Sequence, residues 1–173
     1  MKTISLIIPF FDEYEELQLT LDSIPEWSLL PNEIIIVNTD NFDKNKIIKV
    51  YKNKFTDLDI ELLILEREGA YPGCARNHGI KSANFELIAF LDAKTFPDKE
   101  WLENGVKQLN ENEVGISFGK TKYQATSILE KNIRSSTYGR NPLRTLPGSI
   151  IKKDVFNHAV SYTHLRAHET SNH

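Results

Sequence analysis

The chain has 173 residues, 40% hydrophobic and 26% charged, the composition of an ordinary globular domain with room for one core. Its formal net charge of −3 argues against a nucleic-acid partner, and no apolar run approaches the roughly 18 residues that a membrane-spanning helix needs. The single cysteine, Cys74, excludes an internal disulfide and leads to the expectation of a reducing cytoplasm, with membrane attachment left open for segments outside this chain.

In chain order, the first apolar run is residues 3–9 (TISLIIP), which has the length and β-branched content of a buried strand. A helix follows over 13–24, with Leu17, Leu21 and Ile24 on one face; Asp12 and Glu15 read as a capping box at its start. Strand-like runs recur at 33–37, 60–65, 86–91 and 114–118, with helical stretches between them at 43–55, 72–83 and 98–109. Hydrophobicity that is continuous rather than alternating implies burial on both faces. The alternation of the two element types predicts an α/β fold, a mostly parallel sheet flanked by helices. Residues 120–144 are polar and mixed, Pro142, Pro147 and Gly148 mark loops, and a further strand is expected over 149–152.

Ligands of such a sheet sit beyond the carboxyl ends of its strands, so the segments just after each strand carry the chemistry. These are Pro9-Phe10-Phe11-Asp12-Glu13, Asn38-Thr39-Asp40-Asn41, Glu66-Arg67-Glu68-Gly69 and Asp92-Ala93-Lys94-Thr95. The third leads into Gly69–Asn77, where two glycines and Arg76 stand at a helix start, a combination suited to a diphosphate. A dinucleotide-dependent oxidoreductase would want a glycine-rich turn after the first strand, and residues 9–12 hold no glycine.

Four segments together resemble a family 2 glycosyltransferase of the GT-A, Rossmann-like fold: SLIIPFFDEYEELQLTLDSI, EIIIVNTDN, GAYPGCARNHGIKSANFELIAFLDAKTFPDKEWLE and STYGRNPLRTLPGSIIKKDVF. They cover about residues 3–156 in the family's order and spacing. The resemblance implies inverting transfer of a sugar from a nucleotide-diphospho-sugar to an acceptor hydroxyl on a glycan, lipid or small molecule. It places Pro9 and Phe11 at the first strand's tip, where an aromatic packs on the donor's base, with Glu13 beside them. Asn38 and Thr39 match the family's aspartate pair after the second strand, one of which hydrogen-bonds the base. Arg76 and Asn77 open the helix beneath the donor, Asp92 and Lys94 match the two ends of a metal-binding Asp-x-Asp, and Tyr138 and Arg140 fall toward the acceptor side.

The departures bear on mechanism. Asn38-Thr39 brings no charge to base recognition. Lys94 offers no oxygen to a hard cation such as Mn²⁺ or Mg²⁺ and repels it. Either Lys94 neutralises the departing diphosphate itself, or Asp92 holds an ion weakly with phosphate oxygens and water. The family's catalytic base lies in an acidic motif downstream of the Gly148–Phe156 segment, so it is expected beyond Val160 and none is assigned within the chain. Residues 1–160 therefore read as a partial GT-A domain, incomplete at its C-terminus. Residues 161–173 resemble a read-through tail of fragmentary metagenomic genes, expected to be non-native; His164 and His168, at helical i, i+4 spacing, lie within it. A non-catalytic nucleotide-sugar-binding pseudo-enzyme is the alternative that Asn38, Thr39 and Lys94 keep open.

Overall fold

A computed structural model of the protein describes residues 3–121 and 143–158. Strand β1 (Ile4–Phe10) leads into α1 (Tyr14–Ser23), β2 (Glu33–Asn38) into α2 (Lys44–Thr56), and β3 (Glu61–Glu66) into α3 (Pro72–Ser82). Strand β4 (Leu87–Phe90) leads into α4 (Trp101–Glu111), followed by β5 (Ile116–Ser117) and β6 (Lys120–Thr121), then β7 (Leu143–Arg144), β8 (Ile150–Lys152) and α5 (Val155–His158).

Six strands form one sheet in the order β3-β2-β1-β4-β8-β5. The first four are parallel, with Leu6 beside Ile34 and Ala89, and Ile34 beside Leu62. Strand β8 runs antiparallel to both β4 and β5. All four parallel strands therefore deliver their carboxyl ends to one edge of the domain, which is what positions the site.

The strands' two-residue side-chain period divides the core between the sheet's faces. Ile4, Leu6, Ile8 and Phe10 pack with Ile34 and Ile36 against Leu17 and Leu21 of α1, Ile47, Tyr51 and Phe55 of α2, and Leu102 and Leu109 of α4. Ile7, Ile35, Val37, Ile88 and Phe90 face Ala75 and Ile80 of α3 and Val155 and Phe156 of α5. Helix α3 lies tight on β1: a Cβ at Gly79 would stand 2.7 Å from Ile7 Cγ2. Trp27 and Trp101 meet edge to face with ring centroids 5.5 Å apart, as expected of packing groups at helix ends.

Three local expectations are corrected. Asp12 does not cap α1; it takes a left-handed backbone (φ 46°), and Glu13 occupies the cap position without a side-chain cap bond. The turn from β1 to α1 is too short for Asp12 to both redirect the chain and reach the helix's first amides. Helix α4 starts at Trp101 rather than at 98, because Asp98 first closes a turn, its Oδ1 accepting from Glu100 N at 3.1 Å and its carbonyl from Trp101 N at 3.0 Å. Strand β3, expected to be buried on both faces, is the edge strand, half-buried along its middle with Glu61 and Glu66 exposed at its ends.

Candidate functional site

Strand β1 ends in two phenylalanines with opposite fates. Phe10 is 1% exposed and meets the Phe42 ring edge to face at 5.3 Å, whereas Phe11 is 60% exposed at the crevice. Pro9 is buried within β1 opposite Val37. Pairing with β4 stops at Ile7–Phe90, so a residue with no N–H is tolerated there on an inner strand.

Asn38 and Thr39 are almost fully buried and hold the strand tips together. Asn38 Nδ2 donates to Phe42 O at 2.8 Å and its Oδ1 accepts from Asp40 N at 3.2 Å, turning the chain toward α2. Thr39 Oγ1 donates to Phe10 O at 3.0 Å, while the Thr39 carbonyl accepts from Gly69 N at 3.0 Å. One residue thereby joins the ends of β1 and β2 to the turn after β3, where Gly69 takes the positive φ (68°) that leads into α3.

Arg76, in α3, is ion-paired to Asp92, just beyond β4. The arginine side chain is 11% exposed and the aspartate 40%, so the pair reaches from the helix layer to the surface just beyond β4. Arg76 Nε is buried without a hydrogen-bond partner, leaving the guanidinium incompletely satisfied. Asn77 is half-buried at the next position of α3. Nearer solvent, Lys94 Nζ donates to Glu13 Oε1 at 2.8 Å, linking the loop after β4 to the start of α1. The Glu13 carboxylate, by hydrogen bond and charge, raises the Lys94 pKa above the usual lysine range, with Glu16 and Asp12 adding to it.

The sequence reading missed one residue, Thr20. Fully buried on α1, its Oγ1 donates to Ala93 O at 2.8 Å and to Thr95 O at 3.3 Å, the carbonyls on either side of Lys94. A threonine between Leu17, Leu21 and Ile24 was the available signal, since a hydroxyl on an apolar stripe needs a partner.

At the tips of β2 and β3 lies an open cavity of about 390 Å³ that includes Asp40, Phe42, Asp43, Lys44, Glu66 and Glu68 in its lining. Four carboxylates against one lysine, itself paired to Glu66 at 2.8 Å, make this end hostile to phosphate. Arg76 and Lys94 are not among the cavity's lining residues. Among the described residues, no group of three His, Cys, Asp or Glu side chains is placed to hold a metal ion, and no helix is long and apolar enough to cross a membrane. Tyr138, Arg140, His164, His168 and the 161–173 tail lie outside the described residues.

The family model described as Glycosyl transferase family 2 matches residues 5–165. Glycosyltransferase AglE of Haloferax volcanii is 29% identical over 165 residues, an alignment covering 88% of this chain and 53% of AglE. The chain thus spans about half the length of that curated relative. Among solved structures, S. aureus TarS 1–349 in complex with UDP-GlcNAc superposes with a TM-score of 0.62 at 18% identity, over 90% of this chain and 47% of that one. The mannosyltransferase PcManGT from Pyrobaculum calidifontis, in complex with GDP-Man and Mn²⁺, gives a TM-score of 0.58 at 25% identity, over 69% of this chain and 36% of that one. These likenesses identify the sheet and its helices as the GT-A fold.

Proposed function

We propose that this chain, which belongs to glycosyl transferase family 2, forms the donor-binding part of a glycosyltransferase and holds a nucleotide-diphospho-sugar across the carboxyl ends of β1, β2 and β4. The observation that carries this is that Arg76 and Lys94, each paired with a carboxylate, stand by the segment just after β4, Arg76 through Asp92 and Lys94 within it. The base lies toward Phe11, whose exposed ring offers a stacking face, with Pro9 behind it and Asn38 and Thr39 fixing the neighbouring loop. The diphosphate lies toward Arg76, Asn77 and Lys94, since the carboxylates at the tips of β2 and β3 repel it. Cations fixed where negative charge develops stabilise the leaving diphosphate as the sugar departs.

In the transfer, the acceptor hydroxyl oxygen attacks the anomeric carbon on the face opposite the diphosphate. The bond to the phosphate oxygen breaks as the new one forms, inverting the configuration. The hydroxyl proton passes to a general base, which the family pattern places beyond Val160. General-base help is typically worth about 10²–10⁴-fold, so residues 1–160 by themselves are expected to bind donor and transfer little. The acceptor is a hydroxyl of a glycan, lipid or small molecule.

A divalent ion, as in the PcManGT complex, fits these residues poorly. Asp92 is engaged by a guanidinium, and an ammonium stands where a second oxygen ligand would be needed. No step is routed through a metal. The same engagement of Asp92 favours a second reading, a pseudo-enzyme that retains the nucleotide-sugar pocket without transfer.

The test is thermal unfolding with UDP-, GDP- and CMP-sugars, each with and without Mn²⁺. One nucleotide class is expected to raise Tm by about 5 °C or more at roughly hundredfold excess over its Kd. Arg76→Ala and Phe11→Ala are expected to reduce that rise. No stabilisation by any donor overturns the proposal.

A further inference from the structure

The Lys94 side chain is 60% exposed, while the residues on either side of it are anchored through their carbonyls. Thr20 holds the carbonyls of Ala93 and Thr95, so the loop bearing Lys94 is tied to α1, the helix whose cap position is Glu13. The backbone that carries Lys94 is therefore held, and its ammonium is placed by Glu13 at 2.8 Å, which occupies one of its three donors. On α3, Arg76 is held by Asp92 but keeps a buried Nε–H without a partner. Each of these two cations is thus already engaged by one carboxylate oxygen before any ligand arrives, and Glu16 and Asp12 add further negative charge around Lys94.

We infer that Lys94 is the built-in counter-cation for the donor's diphosphate, held by Glu13 until the donor arrives, so that nucleotide binding here proceeds without a divalent metal. The inference rests on the donor-site assignment above and specifies its electrostatics. A pair with a largely exposed ammonium is weak, so exchanging Glu13 for phosphate oxygens costs little, and a diphosphate offers the ammonium more negative charge than a single carboxylate. Glu13 then acts as a competitor for Lys94 rather than as a ligand of the donor. A lysine ammonium stays cationic throughout the neutral range, with or without Glu13 beside it.

The experiment is calorimetric titration of the full chain with UDP and GDP, each in EDTA and in Mn²⁺, on wild type, Lys94→Ala, Lys94→Asp and Glu13→Gln. Thermal unfolding confirms that each variant is folded. Wild type is expected to bind one nucleotide equally well in EDTA and Mn²⁺. Lys94→Ala is expected to lose about tenfold or more in affinity, and Glu13→Gln to gain roughly two- to fivefold. Lys94→Asp, which restores two carboxylates, is expected to bind only with Mn²⁺. Wild-type binding that requires Mn²⁺, or Lys94→Ala binding as well as wild type, overturns the inference and leaves the donor site standing. Absence of binding by either nucleotide, with or without metal, overturns the donor site itself.

Discussion

Thr20 and Lys94 define the residue scale of this site, one buried and neutral, the other exposed and charged. Thr20→Val keeps the volume and deletes the hydroxyl that holds Ala93 O and Thr95 O. It is expected to lower stability by about 1–2 kcal/mol in urea unfolding and to weaken nucleotide binding by loosening the loop. Unchanged values of both would show the hydroxyl to be idle. Lys94 makes the pH prediction. Its folded pKa lies above the unfolded one, so the Glu13 pair's contribution is fully present below the ordinary lysine pKa and fades only as pH rises through the higher folded value. Nucleotide affinity is therefore expected to stay level from about pH 7 to 9; a titration that falls in that window would sink this assignment. Lys94's departure from an Asp-x-Asp pattern is visible in the sequence, but its partner is not. Glu13 is remote in sequence, and no spacing rule links a helix's cap position to a loop several elements later.

At the scale of elements, α3 decides where Arg76 stands, and Gly79 decides how close α3 comes to β1. Gly79→Val drives new methyls into Ile7, itself a stiff β-branched side chain. The expected outcome is a loss of about 1–3 kcal/mol, with weaker nucleotide binding because Arg76 shifts with the helix; wild-type stability would contradict this packing. The elements themselves were legible: each parallel strand and its following helix lie close to the expected residues, because apolar runs and 3.6-residue periodicity are local properties. The failures were also local in form but tertiary in cause. Asp12 had the spacing of a cap and was needed for the β1–α1 turn. The apolar run of β3 has the composition of an inner strand, and its place at the edge follows from chain topology. Its exposed Glu61 and Glu66 are the charges that discourage edge-to-edge pairing.

At the scale of the whole molecule, the buried Glu33 network and the proposed donor site lie at opposite ends of the parallel strands. At the end opposite the crevice, Glu33 is fully buried, accepting from Ser5 Oγ, from Asn84 N at 2.6 Å and from Asn84 Nδ2 at 3.1 Å. Glu33→Ala strands these donors and is expected to cost about 3 kcal/mol or more in urea unfolding. Nucleotide affinity is expected to be unchanged at temperatures where the variant is folded. A matching loss of affinity would show the two ends to be coupled. The sequence by itself determined the alternation of strands and helices, the mostly parallel sheet, and the family, since these depend on periodicity and on motifs read along the chain. Only the tertiary structure decided that β8 runs antiparallel, that Phe10 turns into the core while Phe11 stays exposed, and that Asn38 and Thr39 spend their polar groups on the backbone. It alone paired Arg76 with Asp92 and Lys94 with Glu13. Charge and hydrogen-bond partners are set by distances in space, and the folding of the sheet brings those residues together from separate elements.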